Sequence, residues 1–250
     1  MSTPPDPQGR SGTMPPRRVV VVSAGVSDPS STQMLADRLT QRSLETMRAM
    51  TCTASARTVR LAPLAVEIAQ ATVSGLVGET LRTTIEEVGR ADAIIVCTPV
   101  YKAGISGLFK SFVDLLDNDL LIAKPALLAA TAGSSRHALV IDQQMRPLFG
   151  YMRALTLPTS VFAAPEDWGA AALSDRIARA ATELAVTVHA GIEHGVAERA
   201  WSGYQHQFAG NAARAEQTAA DIDFDSPLMR LAAGGQPTPA ADDAHRVDDD

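Results

Sequence analysis

The chain has 250 residues, of which 46% are hydrophobic, and its formal net charge at pH 7 is −6. This length suits one sizeable α/β domain, and the hydrophobic content is sufficient for a packed core, which excludes global disorder. A negative net charge disfavours nucleic-acid binding and docking on an anionic membrane, because both need a cationic surface. We therefore expect a soluble domain with no nucleic-acid and no membrane partner.

The two cysteines indicate a reducing compartment rather than a disulfide framework. Neither belongs to a Cys-x-x-Cys motif, and Cys97 ends an apolar run that starts at Ala93, which predicts a buried, inert thiol. Residues 1–16 lack the apolar segment of a secretory signal, and no stretch approaches the ~20 apolar residues of a membrane span. The sequence thus predicts a cytoplasmic protein.

Both ends of the chain have compositions typical of disorder. The first 16 residues are rich in Pro, Ser and Gly, and the last 19 mix Gly, Pro, Ala and Asp and close with three aspartates. We expect a disordered arm at 1–16, one domain over 17–200, a partly helical extension over 201–231 and a disordered acidic tail over 232–250.

Short apolar runs alternate with longer amphipathic segments in the central part of the chain. The predicted strands are Arg18–Ser23, Arg57–Leu61, Asp92–Thr98, Pro125–Thr131 and Thr159–Ala163. The first, third and fourth are apolar almost throughout, which is typical of strands that a parallel sheet buries on both faces.

Two apolar stripes with steps of three and four residues predict helices that cover this sheet. One stripe comprises Ala138, Ile141, Met145, Leu148, Met152 and Leu155. The other comprises Leu173, Ile177, Ala181, Leu184 and Val188. Repeated strand–helix units predict a doubly wound α/β domain, a five-stranded parallel sheet with the flavodoxin-like order 2-1-3-4-5. Ligands of such sheets bind at the carboxyl ends of strands 1 and 3, which makes the two following loops the candidate site.

The first of these loops, from Ser23 to Thr32, is rich in hydroxyl groups and reads SAGVSDPSST. Its backbone N–H groups, its hydroxyls and the positive end of the next helix could together bind a terminal monophosphate, although the loop has no Lys or Arg. Alternatively, its serines only cap that helix, but three consecutive hydroxyls exceed what capping needs. The loop matches neither G-x-G-x-x-G nor the P-loop pattern, which disfavours a pyrophosphate site and nucleotide hydrolysis.

The second loop begins with Thr98 and continues Pro-Val-Tyr-Lys to Lys102. Pro99 is expected to end the strand, because proline lacks a backbone donor. Tyr101 would then lie where a planar ligand could rest against aromatic and backbone surface. Equally, the segment could be an ordinary strand–helix turn with Tyr101 at its rim.

These motifs resemble those of the NADPH-dependent FMN reductases that serve two-component monooxygenases. The resemblance rests on TPVYKA and SGLFK between Thr98 and Lys110, with the DLL that begins at Asp114, and on the TAGS of Thr131–Ser134. It rests also on His137-Ala-Leu, Ile141-Asp142 and the MRPL of Met145–Leu148, and more loosely on Ser30–Thr32. It covers about residues 18–165.

The resemblance implies NAD(P)H-dependent reduction of FMN by hydride transfer from the nicotinamide to flavin N5, and delivery of reduced FMN to a partner monooxygenase. The residues implied to hold the FMN phosphate are Ser23, Ser27, Ser30, Ser31 and Thr32. Those implied to flank the isoalloxazine ring are Thr98, Pro99, Val100 and Tyr101, and those implied to close its far side are Thr131, Gly133 and Ser134. Lys102 and Ser106 complete the predicted cofactor-binding set.

Because the cofactors carry the chemistry, no catalytic acid–base pair is expected. Lys102 either reaches the phosphates of the nicotinamide cofactor or is a solvated lysine at a helix entry. His137 either lines the site or makes local hydrogen bonds. The resemblance also implies a homodimer or a homotetramer.

Two other uses of bound FMN stay open at this point, an electron-carrier protein and a quinone or azo-dye reductase. Electron carriers typically have a dense acidic docking face. Here several of the acidic residues lie in the final nine positions, which leaves the folded part near charge balance and favours the enzyme. A metal enzyme is disfavoured, because the histidines at 137, 189, 194, 206 and 245 are scattered. A serine hydrolase is disfavoured because the GISGL that starts at Gly104 departs from G-x-S-x-G.

Overall fold

The computed structural model describes residues 15–201. Its strands are β1 (Arg17–Ser23), β2 (Ala54–Arg60), β3 (Ala93–Tyr101), β4 (Gly104–Ile105), β5 (Pro125–Thr131), β6 (Leu155–Thr156) and β7 (Val161–Ala163). Its α-helices are α1 (Ser31–Ala49), α2 (Ala65–Ser74), α3 (Glu79–Gly89), α4 (Gly107–Asp114), α5 (Arg146–Tyr151), α6 (Ala171–His189) and α7 (Ile192–Ala200). The predictions for residues 1–14 and for the extension and tail beyond 201 lie outside the described residues.

The sheet confirms the predicted doubly wound α/β, flavodoxin-like fold. Its order is β2-β1-β3-β5, and the fifth position is shared by β6 and β7, which both pair with β5 in parallel. The predicted fifth strand, Thr159–Ala163, corresponds to β7, and β6 is an additional short strand that precedes it. Pro158 explains the interruption, because proline has no N–H to donate to a ladder. The two-residue β4 is an addition that pairs antiparallel with β3.

Hydrophobic residues fill both faces of the sheet. Along β1, Val20 and Val22 belong to the core cluster on one face, whereas Val19 and Val21 belong to the cluster on the other. Successive side chains of a strand point to opposite faces, so a sheet covered on both sides needs strands that are apolar throughout. The continuous apolar runs of the sequence have this physical cause.

The apolar stripe predicted from Leu173 to Val188 is confirmed, since all five of its residues are buried on α6. α6 packs beside α1 on one face of the sheet. No helix among residues 15–201 is long and apolar enough to cross a membrane.

The stripe predicted from Ala138 to Leu155 is only partly correct. Ile141, Met145 and Met152 are buried, but Ala138 is exposed and Leu155 lies in β6. The cause is a π-helical turn that spans Ile141–Met145, which carries one more residue per turn than an α-helix.

The π-turn changes which side chains reach the core. The N–H of Arg146 donates to the carbonyl of Ile141, five residues back, which marks the extra residue. Beyond this point Phe149 is fully buried and Leu148 only partly. The helix then ends at Tyr151, four residues before the predicted stripe does.

Candidate functional site

The carboxyl ends of β1, β3 and β5 bring the three predicted segments to one edge of the sheet. The strands are adjacent and in register: Ser23 pairs with Cys97, and Pro99 with Thr131. The first loop continues this contact, because the N–H of Ala24 donates to the carbonyl of Cys97 at 2.9 Å.

In the first loop, Ser30 caps α1. Its Oγ accepts a hydrogen bond from the N–H of Gln33 at 3.2 Å, so the capping alternative is correct for this residue. A hydroxyl that accepts one bond still has its O–H to donate. Gly25 packs against the same hydroxyl: a Cβ at this position would lie 2.0 Å from Ser30 Oγ, so a larger residue would displace the capping hydroxyl.

The other predicted hydroxyls of the first loop occupy three different environments. Ser27 and Ser31 are exposed. Thr32 is buried, and its Oγ1 lies 2.7 Å from Thr131 Oγ1 at the end of β5. Ser23 is also buried, and its Oγ has no hydrogen-bond partner among residues 15–201. The structure therefore places Ser23 beneath the loop rather than on its surface.

The second loop is a β-hairpin, which corrects the expectation that Pro99 ends its strand. Pro99 lies inside β3, and the strand continues to Tyr101 before it turns back into β4. The fixed φ of proline is compatible with an extended strand, and its missing donor falls where β3 leaves the parallel ladder.

Two residues form the tip of this hairpin, Lys102 and Ala103, and their φ angles are +51° and +65°. A two-residue turn with positive φ at both positions usually contains Asn and Gly. For residues with a Cβ this conformation costs about 1–2 kcal/mol each. The tip is thus a strained segment at the mouth of the predicted site, and Tyr101 beside it is half-exposed.

The base of the hairpin is formed by Thr98 and Ser106, both fully buried. The N–H of Ser106 donates to Thr98 Oγ1 at 3.2 Å, and Ser106 Oγ accepts from the N–H of Phe109 at 3.1 Å, which caps α4. These two predicted site residues therefore hold the loop in place, whereas Tyr101 and Lys102 are the members that reach its surface.

Gln144 contacts the hairpin and was missed by the sequence analysis. Its Oε1 accepts from the N–H of Ile105 at 3.0 Å, and its Nε2 donates to the carbonyl of Ala103 at 3.2 Å. In the sequence it is a polar residue between the apolar positions of a predicted helix, which carries no signal of a distant contact.

The third loop follows β5 and contains Gly133, which is exposed, and Ser134. Ser134 Oγ accepts from the N–H of Arg136 at 3.4 Å and caps the short turn Ser135–His137. Glu166, which follows β7, is a second residue that the sequence analysis missed. Hydrogen bonds from its own backbone N–H and from the hydroxyl of Ser135 hold the pKa of its carboxyl below the ordinary value. An ionised carboxylate therefore lies beside the third loop.

Cys97 lies at the carboxyl end of β3 and is completely buried. Burial raises the pKa of its thiol far above the ordinary value, and the negative charge of Asp37 acts in the same direction. The thiol stays protonated, in agreement with the inert cysteine expected from the sequence.

A groove of about 690 Å³ lies between α1 and α6. Trp168 lines it with Arg38, whose guanidinium carbon is 5.1 Å from the ring centroid. None of the fourteen predicted site residues lines this groove. The site at the sheet edge is therefore supported by topology and hydrogen bonding rather than by cavity volume.

Comparison with known proteins gives three informative similarities. Residues 17–169 match the family described as NADPH-dependent FMN reductase. The NADH-dependent FMN reductase SfnE of Pseudomonas putida is 37% identical over 190 residues, which cover 74% of this chain and 98% of that protein. The FMN reductase (NADPH) of Pseudomonas aeruginosa is 36% identical over 153 residues, which cover 61% of this chain and 80% of that protein.

A solved structure gives the same picture. The crystal structure of an oxidoreductase from Corynebacterium diphtheriae is 42% identical to this chain and superposes with a TM-score of 0.68. The match covers 70% of this chain and 98% of that one. The similarity therefore spans the whole α/β domain.

Proposed function

We propose a site for the reaction of this chain, which belongs to the NADPH-dependent FMN reductase family and is thus an oxidoreductase that reduces FMN with NADH or NADPH. The site is the carboxyl edge of the sheet, between the loops that follow β1, β3 and β5. The observation that carries this proposal is the contact between Thr32 and Thr131, which joins the hydroxyl-rich start of α1 to the end of β5. It holds the loops after β1 and β5, which are far apart in the sequence, together at one edge of the sheet.

The donors of the first loop fit the phosphate of FMN. The first turn of α1 contains no acidic residue, so no side chain of that turn neutralises the positive end of the helix dipole. Ser27 and Ser31 present exposed hydroxyls near this end, and Ser30 has an O–H to donate. We assign phosphate binding to these three serines, and we assign to Thr32 the positioning of the loop through Thr131.

The isoalloxazine ring is proposed to lie between the hairpin that carries Tyr101 and Lys102 and the third loop with Gly133 and Ser134. When bound, FMN supplies the electron-accepting chemistry. The chain itself has to bind both cofactors, align their rings and exclude water, which requires no acid–base pair. Thr98 and Ser106 contribute by holding the hairpin base.

We further propose a homodimer or homotetramer that works in the cytoplasm and passes reduced FMN to a partner monooxygenase. Leu139 and Tyr151, two large apolar side chains that are 60% and 68% exposed, are candidates for burial in such an interface. Light scattering of the purified protein measures the oligomeric state. Reduced-flavin transfer is tested by coupled turnover with a flavin-dependent monooxygenase.

The phosphate assignment is tested by replacing the two exposed serines. We expect Ser27→Ala/Ser31→Ala to raise the dissociation constant for FMN about tenfold, since two neutral hydrogen bonds contribute about 0.5–1.5 kcal/mol each. Binding of riboflavin, which lacks the phosphate, should be unchanged. Both constants are measured by titration of flavin fluorescence.

Ser174→Ala is the matched control, because it removes an exposed serine hydroxyl from the first turns of another helix, α6. It should leave both constants at their wild-type values. Equal weakening of FMN and riboflavin by the double substitution would show that the serines do not bind the phosphate.

A further inference from the structure

The side chain of Gln144 reaches across to the β3–β4 hairpin and binds it with both ends of its amide. The two bonds, at 3.0 Å to the N–H of Ile105 and at 3.2 Å to the carbonyl of Ala103, lie on either side of Gly104. The amide thus pairs with the hairpin as a peptide group of a neighbouring strand would. This contact joins residues about 40 positions apart in the chain.

Two backbone features allow this contact. Gly104 leaves room for the amide, since a Cβ there would lie only 3.3 Å from Gln144 Oε1. Gln144 itself belongs to the π-turn, where the extra residue changes the direction of each side chain relative to an α-helix. Within this turn Ile141 and Met145 are buried, and Gln144 is directed at the hairpin.

The hairpin has a rigid base and a strained tip. The base is held by Thr98 and Ser106, whose hydrogen bonds do not involve Gln144. The tip consists of Lys102 and Ala103, both with positive φ. Such strain persists only where the surroundings determine the conformation. Gln144 provides such a restraint, because its Nε2 donates to the carbonyl of Ala103 in the tip and its Oε1 accepts from the N–H of Ile105 beside it.

We propose that Gln144 is a positioning residue, whose amide holds the Lys102–Ala103 tip in the conformation that binds the flavin ring. This inference rests on the proposed function of the hairpin. It concerns the binding of the isoalloxazine ring of FMN and not the binding of its phosphate. The amide touches neither flavin nor nicotinamide in this assignment. It acts through the backbone of Ala103 and Ile105.

The first test uses Gln144→Ala and a measurement that needs no flavin. In the full-length protein, the amide proton of Ile105 should exchange with solvent at least tenfold faster in the variant, because its acceptor is lost. The amide of Ser106 should exchange at the wild-type rate, because Thr98 still accepts from it. NMR-detected hydrogen exchange resolves the two positions, and equal exchange of Ile105 in both proteins would overturn the inference.

Flavin binding gives the second test. Gln144→Ala should raise the dissociation constants of FMN and riboflavin by the same factor, about tenfold, because the ring is common to both ligands and the phosphate loop is untouched. Gln143→Ala, which alters the exposed neighbouring glutamine, is the matched control and should bind both flavins as the wild type does. Unchanged binding by Gln144→Ala would overturn the inference.

Gln144→Glu adds a signature that a general loss of packing would not produce. A protonated carboxyl can accept from Ile105 and donate to Ala103, whereas a carboxylate would repel the Ala103 carbonyl. The other charged groups on the two elements are Asp142 and Arg146, which pair with each other, and Lys102 at the tip. FMN affinity relative to wild type at the same pH should therefore be about tenfold lower at pH 8 and should rise towards the wild-type value as the pH falls to 5, because the Ala103 carbonyl disfavours the ionised form and raises the pKa of the introduced carboxyl.

A pH-independent ratio for Gln144→Glu would contradict the proposed hydrogen bonds. Failure of the proposed function is distinguishable from failure of this inference. If the wild-type protein bound neither flavin, the proposed function would be wrong. If the wild type bound both and Gln144→Ala bound them equally well, only the role of Gln144 would be wrong.

Discussion

The hydroxyl groups of Thr32 and Thr131 lie 2.7 Å apart in the interior, although 99 positions separate the two residues in the chain. Each hydroxyl is buried and bonds to the other, so each depends on its partner. A buried polar group left without a partner costs about 1–3 kcal/mol, whereas removal of both partners can be nearly neutral. This asymmetry makes the pair testable.

We expect Thr32→Val and Thr131→Val each to lower the free energy of unfolding by about 1–3 kcal/mol, and the double variant to lose less than the sum of the two. Urea denaturation of the four proteins completes the double-mutant cycle. Strict additivity would show that the two hydroxyls do not interact in solution.

The predicted site residues also differ in exposure, and the sequence could not anticipate this. Ser31 and Thr32 are adjacent hydroxyl residues with similar chemistry, yet Ser31 faces solvent and Thr32 is buried against β5. Which of two neighbours points inward depends on the rotation of α1 on the sheet. Only packing determines that rotation.

At the scale of elements, the π-turn and the divided fifth strand are linked by Arg146. Its Nε pairs with Asp142 at 2.7 Å, and its two terminal nitrogens donate to the carbonyls of Leu157 and Pro158 at 2.8 and 2.7 Å. Those carbonyls lie between β6 and β7, where the strand is interrupted. The guanidinium thus satisfies acceptors that a continuous strand would have paired in its ladder.

We expect Arg146→Lys to destabilise the protein by about 1.5–3 kcal/mol, because an ammonium cannot reproduce the planar fork that binds three acceptors. Thermal unfolding followed by circular dichroism measures the change. Arg176→Lys, at an exposed position of α6, is the control and should lie within about 0.5 kcal/mol of wild type. Equal stability of the two variants would rule out the structural role of Arg146.

At the scale of the whole molecule, the opposite edge of the sheet contains an ion pair that joins three elements. The side chain of Lys124 is 1% exposed, and its Nζ pairs with Glu193 Oε1 of α7 at 2.8 Å. The same Nζ donates to the backbone carbonyls of Gly89 and Ala91, before β3. A buried ammonium needs such acceptors, because isolated burial of a charge is costly.

We expect Glu193→Gln to lower the free energy of unfolding by about 3 kcal/mol, the low end of the range for a broken buried pair, since Glu193 is 28% exposed. The FMN dissociation constant should not change, because the pair lies at the amino edge and the proposed site at the carboxyl edge. Urea denaturation and flavin titration measure the two quantities.

The control for this variant is Glu198→Gln on the same helix, where, within residues 15–201, the exposed carboxylate pairs with His194. Its effect on stability should be within about 0.5 kcal/mol, as is usual for exposed ion pairs. A comparable loss in both variants would indicate that α7 tolerates no change of charge, rather than that the buried pair matters.

The sequence by itself determined the α/β class and the strand order, and it predicted the edge of the sheet at which we propose that ligands bind. These follow from local patterns: apolar runs mark strands buried on both faces, and the right-handed connection of strand to helix limits their order. Members of one family share loop motifs, which is why the chemistry could be expected from residues 98–102 and 131–134. Each of these signals lies within a short stretch of chain.

Only the tertiary structure decided how the loops are held. The hairpin after β3, the π-turn that aims Gln144 at it and the pairing of Thr32 with Thr131 all join positions about 40 to 100 residues apart. Local sequence patterns do not record such contacts, because the partner of a polar side chain is set by the packing of whole elements. The same reason accounts for the division of the fifth strand. Pro158 lies between β6 and β7, and its carbonyl accepts a hydrogen bond from Arg146 at the start of α5.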